Sequence, residues 1–386
     1  MAQPTSEASH YSKKAKFMNI HSQKSTGDTM ILTQTDNLPI RHAEDVHSGK
    51  VRSVYWLPET DSRRVICQED FPVASDTQLG VMVISDRISA FDVNWGGIPG
   101  KGASLNAVTE HYFREFAKRG IAGNHILARP HPMVWIVQRA QPVMVEAIGR
   151  QYITGSMWRS YERGEREFCG HSLAQGLAKN QRLDELLITP TTKGIMKGIP
   201  GVPEEDDVDL TMRQIQDNYG AFGFHDSADI QHYQQLLRKG FATIATLAAD
   251  AGQILVDTKF EFGYVSTPEG QPSMIFIDEA GTPDSSRYWD RDRYQRDGVA
   301  VENSKEGFRQ FLLDNVPERD VLLDKGRMPE RRRLAAEFEV PGEMRMDVAE
   351  TYTTMAERLT GRGVPPVGED PRTEIIATLT PYGIVD

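Results

Sequence analysis

Between Ile254 and Trp289 the sequence reads ILVDTKFEFGYVSTPEGQPSMIFIDEAGTPDSSRYW, two apolar runs parted by a turn rich in Pro, Gly and Ser. That pattern predicts a β-hairpin. Asp257, Lys259 and Glu261 alternate with Val256, Thr258, Phe260 and Phe262, so three charges share one face of the first strand. Folding the hairpin between Glu269 and Gly270 sets Asp278 opposite Glu261, and a slip of one residue would turn Asp278 to the apolar side. Two carboxylates facing across a ladder repel unless a cation lies between them. Oxygen ligands beside a lysine suit Mg²⁺ carrying a nucleotide's phosphates. The alternative is a solvated face on which Lys259 screens its acidic neighbours. Asp284-Ser285-Ser286-Arg287 follows directly, adding hydroxyls and a guanidinium fork suited to a phosphate or carboxylate.

Other segments must position this hairpin. With 386 residues, 39% hydrophobic and 26% charged, the chain has room for two domains with substantial cores. A net charge of −11 argues against a general nucleic-acid or membrane binder. Cys67 and Cys169 form neither a disulfide framework nor a zinc spacing. No apolar run reaches the ~20 residues that cross a bilayer, and a cytoplasmic location is expected. Residues 1–44 read as a polar, disordered tail.

Residues 45–140 read as a β-rich lobe, with strands in GKVRSVYWL, RRVICQ and VMVIS. Lys50 and Arg52 share a strand face that could grip phosphate oxygens or simply be solvated. A helix is expected from Ser104 to Lys118, and His125 and His131 are expected to be structural or exposed. The link Arg139-Ala140-Gln141-Pro142 suits a hinge, after which residues 141–365 form a larger lobe and 366–386 a tail. Arg150 and Ser156 converge where a helix should begin, with Ser156 either its N-cap or part of an anion site. Residues 170–210, including Lys193 and Asp207, read as a long loop. Helices are expected after Thr211, over 227–251, from Ser304, and near 330–338 and 348–359. Arg331-Arg332-Arg333 lies among acids and is discounted as a nucleic-acid patch.

In order along the chain, GKVRSVY (49–55), SDRISAFDV (85–93), PGKG (99–102), VEAIGRQYITGS (145–156), TPTTK (189–193), DTKFEFG (257–263) and DEAGTPDSSRYW (278–289) resemble the SAICAR synthetase family. The resemblance covers roughly residues 48–315. It implies an α+β fold of two lobes, a small kinase-like ATP lobe and a larger one related to ATP-grasp enzymes. It also implies an ATP-dependent ligase of purine biosynthesis, with Mg²⁺ as cofactor, joining carboxyaminoimidazole ribotide to L-aspartate through an acyl phosphate. By resemblance Lys50, Arg52 and Glu146 would meet ATP, and Glu261 with Asp278 would hold Mg²⁺. Asp257 and Lys259 would face the ribotide's base and reacting carboxylate. Arg150, Ser156, Asp284, Ser286 and Arg287 would surround its 5′-phosphate, and Lys193 with the loop to Asp207 would sit near the amino acid. A homo-oligomer is left open. Asp206-Asp207-Val208-Asp209-Leu210-Thr211 stands where the family often has His-Asp-Glu-Asn-Ile-Ser, and Ala280-Gly281 where bulkier residues are usual. The first departure keeps a ligase for another amine as an alternative. A phosphotransferase on the kinase-like scaffold is a further one, although no H-R-D loop or D-F-G is present.

Overall fold

A computed structural model describes residues 31–386. Two antiparallel sheets divide the chain. The first runs His47–Ser48, Arg52–Trp56, Leu79–Ile84, Val134–Gln138, Ile126–His131 in spatial order. The second has Arg182–Ile188, Val145–Tyr152, Gln253–Ser266 and Pro272–Ile277, so the chain leaves the first sheet at Gln138 and enters the second within a few residues. Fourteen residues long, the strand Gln253–Ser266 is the axis of the second sheet. Ser286–Asp290 pairs with its first half and Pro272–Ile277 with its second.

Its alternation explains its place. Phe260 and Phe262 are fully buried beneath the helix Asp229–Asp250, which contributes Leu236, Leu237, Phe241 and Ile244. On the opposite face Asp257, Lys259 and Glu261 look into the space between the sheets. The helix Lys101–Lys118 joins the two cores: Leu105 packs with the first sheet's cluster, while Tyr112 and Phe116 reach the second's. Gly342–Thr360 packs along that helix from outside.

Several expectations are corrected. Glu261 pairs with Ile277, not Asp278. The connection Thr267–Gln271 has five residues centred on Glu269, which shifts the register by one. Asp278 lies just past the ladder at φ 60°, and this left-handed turn brings its side chain back into the cleft. RRVICQ lies in a helix, Glu59–Glu69, with acids in its first turn and Val65 and Ile66 buried. Its three apolar residues are too few to separate period 2 from period 3.6. The expected loop 170–210 contains the strand Arg182–Ile188, whose bulged register against Val145–Tyr152 and exposed charges hide its alternation. The helix after Tyr152 begins at Gly155 with Thr154 as its N-cap position, so Ser156 lies in the first turn. His125 and His131, expected to be structural or exposed, are both buried, which is the structural alternative.

The expected N-terminal tail falls outside the described residues up to Met30. From Ile31 onward it packs: Leu32, Leu38 and Ile40 are buried, and Ile40 bridges to Val385. The C-terminal stretch likewise buries Ile375, Leu379 and Ile384 against the first sheet's core. Apolar residues spaced through a polar text were enough to dock both ends.

The hairpin Arg87–Ala90/Val93–Gly97 turns through Phe91 and Asp92, both left-handed at φ 53° and 63°. Two-residue hairpins of this hand prefer Asn-Gly. A non-glycine residue costs roughly 1–2 kcal/mol in that region, so other contacts must hold the turn.

Candidate active site

Every site residue anticipated from the sequence lines one cleft of about 1050 Å³ between the two sheets. At its centre Lys259 Nζ donates to Glu146 Oε1 at 2.8 Å and to Glu261 Oε1 at 2.7 Å, and Lys193 pairs with the other Glu261 oxygen. Glu146 Oε2 accepts from Thr191 Oγ1 at 3.1 Å. Burial disfavours the charges of Lys259 and Glu261, yet the pairing prevails. Despite burial Glu261 is held down to about 2 by Lys259 and Lys193, and Lys259 is raised well above an ordinary lysine by Glu261 and Glu146. Lys259 therefore stays an ammonium, able to meet an anion but not to act as a base.

Toward the start of the long strand the cleft becomes basic. Asp257 Oδ2 accepts from Arg150 Nη1 at 3.2 Å and also pairs with Arg287. Arg287 Nη2 lies 3.3 Å from Glu306 Oε2, which also takes Arg309 Nη1 at 3.1 Å. Gly155 makes this approach possible, since a Cβ there would stand 2.7 Å from Arg287 Nη2. With Arg159 added, four arginines face two carboxylates, a surplus suited to an anionic group. Thr258 and Ser286 exchange a hydroxyl hydrogen bond of 2.7 Å beneath it.

Asp284 lines the cleft but is saturated by the protein. Oδ1 meets Lys101 Nζ at 3.1 Å and Tyr352 Oη at 2.7 Å, and Oδ2 meets Lys305 Nζ at 2.7 Å. Burial opposes its charge, but Lys101 and Lys305 keep its pKa well below the carboxylate range. Lys305 is in turn lowered to about 8 by burial, against the pull of Asp284.

On the opposite wall Asp278 accepts from Arg52 Nη1 at 2.8 Å, and Arg52 Nη2 lies 3.3 Å from Glu279. Arg52, only 7% exposed and 5.4 Å over the Trp135 ring, is thus an anchor for these acids rather than an open phosphate contact. Lys50 is more open and pairs with Asp92 at 2.6 Å. Asp207 stands at the mouth, 3.8 Å from Lys325. No group of three or more His, Cys, Asp or Glu among the described residues forms a metal cage. Glu261 and Asp278 nevertheless offer two hard oxygen donors to one cleft, which suits Mg²⁺ because that ion takes its remaining ligands from phosphates and water.

Sequence reading missed Arg159, Lys305, Glu306 and Arg309. The last three share the first turns of one helix, Glu306–Asn315 with its N-cap Lys305. The i, i+4 spacing of Lys305 and Arg309 was the available signal.

Comparison with known proteins agrees with this arrangement. The family model for SAICAR synthetase matches residues 45–321. The phosphoribosylaminoimidazole-succinocarboxamide synthase of Vibrio cholerae is 55% identical over 363 residues, covering 92% of this chain and 98% of the relative. That of Shewanella baltica is 56% identical over 355 residues, covering 90% and 96%. The solved SAICAR synthase of Saccharomyces cerevisiae, in complex with SAICAR, shares the fold at a TM-score of 0.63 and 24% identity, over 86% of this chain and 99% of that one. Fold and cleft thus belong to a carbon–nitrogen ligase that joins an acid to an amino acid. The chain belongs to the SAICAR synthetase family, and its function is that family's ligase step in purine biosynthesis.

Proposed function

We propose that the cleft joins the carboxylate of carboxyaminoimidazole ribotide to the amine of L-aspartate, in the cytoplasm, with ATP converted to ADP and phosphate. The carboxylate oxygen attacks the γ-phosphorus and ADP departs, leaving an acyl phosphate. The amine then attacks the acyl carbon, the carbon–oxygen bond to phosphate breaks, and the amine loses a proton. A carboxylate is a poor electrophile, and this order converts it into a good one.

The observation that carries the reading is the single strand presenting Asp257, Lys259 and Glu261 to one cleft. Lys259, kept cationic by its neighbours, meets the reacting carboxylate. Asp257 holds Arg150 and Arg287 side by side, and with Ser156 and Ser286 these grip the 5′-phosphate. Asp284 fixes Lys305 beside them. Lys50 covers the ATP phosphates, with Arg52 and Glu146 behind the nucleotide as supports for Asp278 and Lys259. Lys193 and the loop to Asp207 receive the amino acid. Glu261 and Asp278 would hold Mg²⁺, which when bound neutralises charge on the phosphates.

The test is turnover with three substrates and an amine panel. ADP release should require ribotide, ATP and L-aspartate together. Equal release without L-aspartate would refute the reading, and preference for another amine would favour the altered 206–211 segment as a changed specificity loop. In the same assay Glu261→Gln and Asp278→Asn should each lose most of kcat and steepen the Mg²⁺ requirement. Near-normal turnover in both would remove the metal assignment.

A further inference from the structure

Arg331, from the helix Met328–Glu337, is 2% exposed and uses its whole guanidinium on the underside of the cleft. Nε donates to Val321 O at 3.1 Å and Nη2 to Leu322 O at 2.8 Å. Nη1 donates to Phe91 O at 3.2 Å and lies 3.4 Å from Asp92 Oδ2. A buried guanidinium cannot shed its proton, so it needs an anion, and Asp92 is the carboxylate it reaches. The other Asp92 oxygen holds Lys50 Nζ at 2.6 Å. One carboxylate thus serves two cations of different character. The Arg331 side chain is 3% exposed, whereas that of Lys50 is 54% exposed. The outer pair is wet and readily exchanged, while the inner pair persists.

We infer that Arg331 is a positioning residue for nucleotide binding, acting by sharing the charge of Asp92 so that Lys50 can leave it for the phosphates of a nucleoside triphosphate. The inference rests on the assignment of Lys50 to those phosphates. Once Lys50 moves away, Asp92 would otherwise stand as an uncompensated anion beside an incoming polyanion. Asp206 and Asp207 already bring negative charge to this rim, with Lys325 as a partial counterweight. Arg331 also fastens the carbonyl of Phe91 and so holds the left-handed turn that aims Asp92. The helix carrying it lies beyond residues 45–321, the stretch that the family model matches.

Charge sharing and mere support of the turn can be separated by a double substitution. Arg331→Met should raise the KM for ATP about tenfold, with kcat and the KM for L-aspartate changed less than about twofold. Adding Asp92→Asn removes the unshared charge and should return the ATP KM to within about twofold of wild type. An unchanged ATP KM in Arg331→Met, or a double variant as impaired as the single, would overturn the inference. Should Arg331→Met not fold, Arg331→Lys decides, since it keeps the charge beside Asp92 but not the guanidinium's fork to the carbonyls: an ATP KM within about twofold of wild type supports charge sharing, and one raised about tenfold refutes it. Lys50→Ala keeps the two levels apart. If it leaves the ATP KM unchanged, the assignment of Lys50 is wrong. If it raises that KM while the Arg331 and Asp92 variants change nothing, only the inference fails.

Discussion

Glu302 shows how the cleft's chemistry reaches residues that touch no substrate. Its carboxyl accepts from Trp289 Nε1 at 2.7 Å and Ser304 Oγ at 3.2 Å, behind Arg287. Burial outweighs these bonds and the pull of Arg287, and raises it to about 7. The sign follows from linkage. The folded state prefers the neutral acid, so the group's stabilising contribution is complete below its ordinary 4.5 and is lost as pH rises through about 7. Glu302→Gln keeps an amide oxygen for Trp289 and cannot ionise. It should melt like wild type at pH 4.5 and higher than wild type at pH 8, as followed by thermal denaturation across that range. An equal offset at both values would show that Glu302 does not titrate there. At this scale the sequence was informative where a charge sat in a strict alternation, as at Asp257, Lys259 and Glu261. It was silent on Glu302 and Arg159, whose surroundings come from distant segments.

At the scale of elements, one departure from the family's text, Ala280-Gly281, has a physical cause. Gly281 sits at φ 64°, and a Cβ there would stand 2.5 Å from Tyr112 Cε2. Tyr112 cannot retreat, because it is fully buried in the helix that joins the two cores. Tyr288 donates to the Gly281 carbonyl at 2.5 Å and lies 3.4 Å from the Tyr112 hydroxyl. The small pair Ala280-Gly281 is therefore the complement of a large ring. Gly281→Ala should destabilise the protein by about 2–4 kcal/mol, combining left-handed strain with overpacking. A fall of several degrees in Tm checks this, and an unchanged Tm would mean the ring has room to move. One helix start was readable from its cap, at Thr211, whose capping box with Gln214 is present, whereas the helices from Lys101, Gly155 and Gly342 begin earlier than their text suggests. The hairpin register was not, because a five-residue and a six-residue turn fit the same Pro- and Gly-bearing text and only packing chooses between them.

For the molecule as a whole, the two ends of the described chain belong to one core. Ile384 O accepts from Arg41 N at 2.9 Å, and the helix Pro371–Leu379 packs on the strand Ile126–His131. Removing residues 371–386 would take away Ile375, Leu379 and Ile384, each fully buried, and uncover the part of the first sheet's core they pack against. At about 1.5–3 kcal/mol per side chain the loss is roughly 5–9 kcal/mol, comparable to the entire stability of a typical fold. The truncated protein should be insoluble or lack near-ultraviolet circular dichroism, and native-like melting would show that this segment is dispensable. The α+β class and the meeting of the motifs in one cleft were legible through the family resemblance that the motifs carry in their order along the chain. The docking of the termini was not, because isolated apolar residues announce neither their partner nor their distance.

One backbone, Gln253–Ser266, carries both the arginine-bound carboxylate and the lysine-bound one. From Asp257 to Glu261 an extended chain advances about 13 Å, at roughly 3.3 Å per residue. Peptide geometry therefore holds the arginine-bound and the lysine-bound carboxylate at a set spacing without any moving part. A ligand gripped at both ends would have to match that spacing, which would add length to charge as a basis for selection.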